Sequence, residues 1–239
     1  MTTQSVGQKN TQRLPRYGWV RLILVYLFIP ALLFGCGGDL RWWQGWVFTS
    51  IILIAGIASR LLAEHRHPGL LMERQKSFQT AGMKPWDKIL APLMATSISF
   101  PLVILAGLDH RFNWSSSFPV GLNLLGFFLM AGGYAFASWA LAENRWFSGV
   151  VRIQTDRGHA VCDSGPYRIV RHPGYIGNIL PLPGIALALS STWTFIPAAV
   201  ALVIIVIRTV LEDRTLREEL PGYQDYARRV RYRLFPGIY

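Results

Sequence analysis

Six apolar runs, Trp19–Gly35, Trp42–Leu62, Ile89–Leu108, Pro119–Leu141, Ile176–Ser190 and Thr194–Leu211, occupy much of this 239-residue chain. A bilayer core of about 30 Å needs roughly 20 apolar residues in a helix, and backbone amides in hydrocarbon must bond within their own segment. Runs of this length and spacing leave little besides a bundle of membrane-spanning helices. The fifth run is short for a span and carries Pro181 and Pro183. It is read with the sixth as a closely coupled helical hairpin, tilted or partly re-entrant, joined at Ser191-Thr192-Trp193. The expected fold is therefore all-α: a polytopic helical membrane protein with about five to six transmembrane helices, forming one domain over 1–239. Nine Trp, 13 Phe and only 15% charged residues argue against an ordinary soluble domain.

Charge orients the bundle. Of 24 Lys and Arg, Lys9, Arg13, Arg16 and Arg21 precede or open the first run, six fall in 60–88, five in 143–175 and seven from Arg208 to Arg233. Only Arg41 and Arg111 lie in the alternate loops. Cationic loops are retained on the cytoplasmic side, so both termini and the loops 63–88 and 143–175 are expected there, in a bacterial inner membrane or the endoplasmic reticulum. The net charge of +11 is thus a topology signal that also favours anionic headgroups. No basic stretch carries a nucleic-acid module, and no nucleic-acid partner is expected. Polar residues 1–12 lead into a full-length span without a small-residue cleavage pattern, unlike a secretory signal. Cys36 and Cys162 lie far apart, and His65 and His67 have no further ligands at useful spacing, so neither a disulfide framework nor a metal site is expected.

Ionisable side chains are costly in hydrocarbon, so chemistry should gather in the basic loops and at helix ends. In loop 63–88, a Pro68-Gly69 turn, apolar Leu70-Leu71-Met72 and a basic rim suggest an interfacial stretch, either a connector or the wall of a lipid-side substrate entrance. Loop 143–178 is richer, and residues 165–179 read GPYRIVRHPGYIGNI. Arg157-Gly158 and Ser164-Gly165-Pro166 are turn signals, with an extended piece at Val150–Gln154. Pro173 suits the first turn of a helix, and Gly174 and Gly177 leave room for something planar beside the backbone. Tyr167 and Tyr175 offer ring faces and hydroxyls, and His172 a hydrogen bond to a ribose or a carboxylate. By spacing alone this loop is equally a ligand site or a headgroup-binding surface. Arg208 and Glu212 stand four apart on one helical face, either as a simple ion pair or as holders of a charged ligand. Tyr223, Tyr226, Val230, Tyr232 and Leu234 recur as in a short amphipathic helix that packs back on the loop.

GPYRIVRHPGYIG ahead of an apolar hairpin, with RTVLEDRTLREELPGYQDYARRVRYRLFPGIY after it, resembles the integral-membrane isoprenylcysteine carboxyl methyltransferase family. The wider group includes membrane phospholipid N-methyltransferases. The resemblance implies an S-adenosylmethionine-dependent methyltransferase without the soluble Rossmann fold, whose catalytic part is about 143–239. The loop before the hairpin, the hairpin and the tail would enclose the cofactor. Carried over by motif, cofactor contacts fall on His159, Ala160, Val161 and Cys162, on Tyr167, on His172, Pro173, Gly174 and Tyr175, and on Glu212. A polar contact seven residues before His159 falls on Arg152, where the family has a glutamine, with Gln154 as a neighbouring candidate. Arg208 matches the arginine that the family places on the substrate carboxylate, with Arg171 and Asn144 as further candidates. The expected catalytic group is thus Arg208, Glu212 and Arg171, and the acceptor lies on Arg208 and Asn144.

Methyl transfer from a sulfonium is an in-line displacement that asks the protein for positioning, water exclusion and matched charge, without a metal or covalent intermediate. Glu212 suits the amino group of the cofactor's methionine moiety. A carboxylate acceptor is ionised at neutral pH and needs a cation to orient it, whereas an amine must first lose a proton and no dedicated base stands out. The expected reaction is methylation of a lipophilic acceptor such as the carboxylate of a prenylated cysteine. A phospholipid amine or a small thiol is the alternative. Rival readings are an NADPH-dependent sterol-type reductase and a non-catalytic lipid-binding membrane protein. The expected partners are a lipophilic or lipid-modified substrate and membrane lipids.

Overall fold

A computed structural model describes residues 15–76 and 82–238; the polar stretch 1–12, Lys9, Arg13 and positions 77–81 of the loop read at 63–88 lie outside them. Regular structure among the described residues is helical, as expected. In order come α1 (Arg16–Gly37), α2 (Trp43–Arg66), α3 (Leu70–Lys76), α4 (Asp87–Ser99), α5 (Pro101–Phe112), α6 (Val120–Glu143), α7 (Pro173–Ile179), α8 (Pro181–Ala188), α9 (Phe195–Glu219) and α10 (Tyr223–Arg229). Among the described residues, five stretches are long and apolar enough to cross a membrane: Tyr17–Gly37, Trp43–Arg66, Asp87–Phe112, Val120–Glu143 and Phe195–Glu219. The third is α4 and α5 in succession. The chain is interrupted at Phe100 because Pro101 has no N–H to give to the preceding turn.

The fifth apolar run is divided at Leu180, where Pro181 begins a new helix. Its two halves, α7 and α8, run antiparallel to α6. A Cβ on Gly177 would lie 2.4 Å from the Ala137 Cβ, one on Gly133 would lie 2.7 Å from Pro181, and one on Gly126 would lie 2.3 Å from the Ala188 backbone. Small residues let these helices touch through their backbones. Asn123 then closes the end of α8 by donating to the carbonyls of Leu187 and Ala188 at 2.9 and 3.3 Å. The stretch of α6 from Ala137 to Asn123 is about 21 Å long at 1.5 Å per residue, so the pair runs alongside α6 for much of a bilayer's thickness without being a continuous span. The hairpin read between the fifth and sixth runs is real at its turn, where Thr194 donates to the Ser191 hydroxyl at 2.8 Å. The closer partner of α7 and α8 along their length is α6.

Leu33, Phe48, Leu102, Met130, Leu182 and Ile205 meet in one core and tie together α1, α2, α5, α6, α8 and α9. Large apolar side chains such as Ile54, Leu124, Phe128 and Val203 point outward and are exposed, the surface that lipid would cover. At the end where α6 finishes, α3 docks through buried Leu70 and Leu71 against Ala63 and Leu141. The Glu64 carboxylate begins α3 by accepting the backbone N–H groups of Gly69 and Leu71 at 2.9 and 3.4 Å. The expected amphipathic tail helix is present in part, as α10: Tyr223, Tyr226 and Ala227 pack against Ile153 and Val161 of the loop, whereas Val230, Tyr232 and Leu234 lie beyond the helix end at Arg229.

Candidate active site

A cavity of about 320 Å³ lies where α3, α4, α7, α9 and α10 converge on the loop 144–172, within the size range of small-molecule sites. Every candidate site residue read from the sequence borders it except Pro173. Pro173 is buried at the first turn of α7, where its missing N–H costs nothing, so its part is to start the helix.

On one wall stand Arg208 and Glu212 of α9 with Tyr175 of α7. Arg208 does not pair with Glu212. Its Nε and Nη2 donate to Oδ1 and Oδ2 of Asp87, at 2.7 and 3.0 Å, and Nη2 also reaches the Gly149 carbonyl at 3.0 Å. Its Nη1 donates to the Tyr175 hydroxyl at 2.8 Å, and that hydroxyl donates in turn to Oε2 of Glu212. Burial pushes the Tyr175 phenol well above its usual range, and neighbouring Glu212 pushes it further, so it stays protonated. Asp87 also accepts the backbone N–H of Val151. That bond, with Lys84 N–H to the Val151 carbonyl at 3.0 Å, holds the extended piece 150–154 across the head of α4. With Asp87 committed to Arg208, Glu212 is the carboxylate left to face a cation in the cavity.

A second buried carboxylate, Asp213, gathers Arg171, His172 and Tyr223, which border the cavity. It accepts Nε and Nη2 of Arg171 at 2.7 and 3.1 Å, Nε of Arg217 and Nε of Arg233 at 3.0 Å each, and the Tyr223 hydroxyl at 3.1 Å. Nε2 of His172 lies 3.2 Å from it. Nη1 of Arg171 continues to the carbonyls of Val230 and Arg231, both at 2.7 Å. Arg171 borders the cavity, but its guanidinium is committed to Asp213 and the tail. The catalytic role expected of it gives way to a structural one.

The loop brings the remaining groups. Gln154 N–H donates to Nδ1 of His159 at 3.3 Å, which in the neutral ring leaves the proton on Nε2. Burial pushes His159 down to about 4, helped by the nearby Arg152 and Arg157. Arg152 and Gln154 both border the cavity. Arg152 is paired with Asp156 at 2.9 Å, and the Gln154 amide is taken up by the Trp146 carbonyl at 2.7 Å and by Arg157. Asn144 donates to the Tyr167 hydroxyl at 3.3 Å, and burial raises the Cys162 thiol, which is therefore no activated nucleophile. The two glycines serve a purpose other than the one expected. A Cβ on Gly174 would meet the Phe147 ring at 2.8 Å, and Gly177 is pressed on Ala137 of α6. The planar neighbour of Gly174 is the chain's own phenylalanine, and Gly177 serves helix packing.

Residues 122–221 match the phospholipid methyltransferase family. That family includes the isoprenylcysteine carboxyl methyltransferases and related integral-membrane methyltransferases, so the resemblance read from the sequence is met, and a membrane methyltransferase is supported. Enzymes of the family generally use S-adenosylmethionine. A 119-residue stretch is also 30% identical to the cobalt-zinc-cadmium resistance protein CzcN of Cupriavidus metallidurans, over 48% of this chain and 49% of that protein. The chain thus spans about half the length of the curated relative it matches.

Several residues at the site lie outside the family match and were not read from the sequence. Arg74 of α3 and Ala91, Met94 and Ala95 of α4 border the cavity from the N-terminal half, while Asp87 fixes Arg208. The residues that border the cavity therefore extend beyond 143–239. For Arg74 and Asp87 the available signal was the loop 63–88, read as either a connector or the wall of a substrate entrance; Ala91, Met94 and Ala95 lie in an apolar run that carried none. Trp146 is another addition: it borders the cavity, and its buried indole N–H has no partner among the described residues.

Proposed function

We propose that the cavity binds S-adenosylmethionine at the cytoplasmic face of a membrane and transfers its methyl group to a lipophilic acceptor reaching it from the bilayer. The observation that carries this reading is convergence. Residues carried over from separate motifs at 152–175 and 208–212 border one cavity, around a carboxylate that faces it. Topology supports the cytoplasmic placement, because the described cationic loops gather at the cavity end.

The residues fit the cofactor. Glu212 offers a carboxylate to an ammonium or sulfonium. The neutral His159 ring and the unpartnered Trp146 indole offer N–H donors, and Tyr167 and Tyr175 offer aromatic surface. Bound there, S-adenosylmethionine supplies an electrophilic methyl group that an acceptor heteroatom takes in a single in-line displacement. Arg208, clamped by Asp87, keeps the Tyr175 hydroxyl aimed at Glu212, and so fixes the carboxylate that orients the donor. Tyr175, held protonated, is a hydrogen-bond donor and no base. The site therefore favours an acceptor that needs no deprotonation, such as a carboxylate; a prenylated cysteine is one such acceptor. Arg208 would have to give up bonds to Asp87 to receive it directly.

Calorimetry on the protein in detergent, with S-adenosylmethionine and with NADPH, tests the reading. Binding of the methyl donor alone is expected. Binding of NADPH alone would favour a sterol-type reductase, and binding of neither would favour a non-catalytic lipid-binding protein. A labelled-methyl assay against total lipid extract then identifies the acceptor.

A further inference from the structure

The cavity changes character along its length. The loop and Glu212 bring polar groups, whereas α4 brings Ala91, Met94 and Ala95, all within the third stretch long and apolar enough to cross a membrane. Met94 joins the two regions, its Sδ lying 3.8 Å from Nη1 of Arg208. Asn178 borders the same cavity from α7, inside the apolar run Ile176–Ser190. It follows Gly174 and Tyr175 by four and three residues, so the three share the helical face that meets the cavity. At 1.5 Å per residue it lies about 4.5 Å further along α7 than Tyr175. Its companions on that face are occupied. The Tyr175 hydroxyl is held between Arg208 and Glu212, and the Phe147 ring covers Gly174. Asn178 is only partly buried, and its amide has no hydrogen-bond partner among the described residues. A carboxamide in an apolar run is costly unless it is bonded. It carries two N–H donors and a carbonyl acceptor, and the cavity is where a partner for them can arrive.

We propose that Asn178 positions the methyl acceptor, donating an N–H to one carboxylate oxygen of an amphiphile whose tail lies along the apolar α4 wall. The proposal rests on the methyltransferase reading and deepens it by naming a residue that holds the acceptor's head group. A carboxylate presents oxygen lone pairs, which take N–H donors, whereas a quaternary ammonium takes none. With one oxygen held by Asn178, the other attacks the methyl carbon of S-adenosylmethionine. The C–O bond forms as the C–S electron pair returns to sulfur, which leaves an ester and a neutral thioether and moves no proton. The contribution of Asn178 is orientation, keeping the attacking oxygen in line with the bond that breaks. Met94 and the two alanines suit the tail, being pliable or small apolar groups.

The test uses the full chain in nonionic maltoside detergent, saturated with S-adenosylhomocysteine so that no methyl is transferred. Two probes of equal tail, laurate and dodecyltrimethylammonium, are titrated by calorimetry. The wild type is expected to bind laurate more tightly. Asn178→Ala should weaken laurate binding about tenfold, the scale of a lost hydrogen bond to a charged group. Its affinities for the ammonium probe and for S-adenosylhomocysteine should stay within about twofold of wild type. Asn178→Asp keeps the size but sets a like charge against the carboxylate, so laurate should bind more weakly still. Equal laurate affinity in Asn178→Ala and wild type would overturn the proposal. So would an equal loss for both probes, which would give Asn178 a packing role, and so would a cofactor-loaded wild type that does not bind laurate. Failure of the wild type to bind either S-adenosylmethionine or S-adenosylhomocysteine would instead overturn the methyltransferase reading.

Discussion

Arg208 and Asp87, 121 residues apart, share one buried two-point ion pair, Nε to Oδ1 at 2.7 Å and Nη2 to Oδ2 at 3.0 Å. It joins the basic end of α9 to the head of α4 and ties the N-terminal half of the protein to a cavity lined mostly by residues 144–226. Removing one partner strands the other charge, which costs about 3–5 kcal/mol for a buried pair. Asp87→Ala and Arg208→Ala should each lose stability on that scale in chemical unfolding. The double variant Asp87→Leu/Arg208→Met should lose much less than the sum. Additive losses would mean that the pair is not coupled.

Glu212 is expected to govern cofactor affinity by charge. Glu212→Gln keeps the shape and removes the charge, so S-adenosylmethionine should bind about 10- to 100-fold more weakly, the range for a hydrogen bond to an ionised group. S-adenosylhomocysteine has the same amino group without the sulfonium. An equal loss for both ligands places Glu212 on the amino group, and a loss for S-adenosylmethionine alone places it by the sulfonium. Unchanged affinity for both would remove Glu212 from the site.

What the sequence disclosed, and what it hid, follows from range. Arg208 and Glu212 were legible because four residues of helix put them on one face, and the fifth run was legible as short for a span because of its length and its two prolines, though not as divided at Leu180. Asp87 and Asp213 were not, since a single carboxylate carries no local pattern and their partners lie 121 and 42 residues away. Arg74 and Met94 looked like parts of a connector and a span; only packing of α3 and α4 on the loop turns them to the cavity. Gly177 shows the opposite error. A glycine in a motif invites a ligand, but here the space it vacates is filled by Ala137.

Gly177 thus gives a packing prediction. A Cβ there would lie 2.4 Å from Ala137 Cβ and 2.7 Å from its Cα, whereas one on Gly132 meets nothing within 4 Å. Gly177→Ala should destabilise by about 1–3 kcal/mol, as overpacking does. Gly132→Ala should be neutral or stabilising by up to about 1 kcal/mol. Thermal unfolding of the two in the same detergent compares them, and equal midpoints would contradict the close α6–α7 contact.

His159 should leave a signature in the acid range. Its pKa is about 4 in the folded protein against an ordinary 6.5, so between those values the unfolded chain binds a proton that the folded one refuses. Stability must then rise with pH across that window, being lowest below about 4 and fully regained above about 6.5. The wild-type melting temperature should fall more between pH 7 and pH 5 than that of His159→Gln, by up to a few degrees. Parallel curves would show that the imidazole is not held neutral.

Asp213 is expected to hold the tail on the site. Arg171 reaches it from the loop, Arg217 from α9 and Arg233 from the tail, and the N–H groups of Arg171 and His172 donate to the carbonyls of Tyr232 and Arg233 at 3.0 and 2.9 Å. Asp213→Asn keeps the volume but leaves these arginines around a neutral amide, so their mutual repulsion should loosen the segment after α10. Tyr223 and Tyr226 border the cavity from α10, the helix that leads into that segment, so cofactor affinity should fall if the loosening reaches it. Limited trypsin digestion reads the first effect, through faster cleavage at Arg228, Arg229, Arg231 and Arg233, and calorimetry reads the second. S-adenosylmethionine should restore protection if the tail closes on the bound cofactor. Faster cleavage with unchanged cofactor affinity would separate the tail from the site.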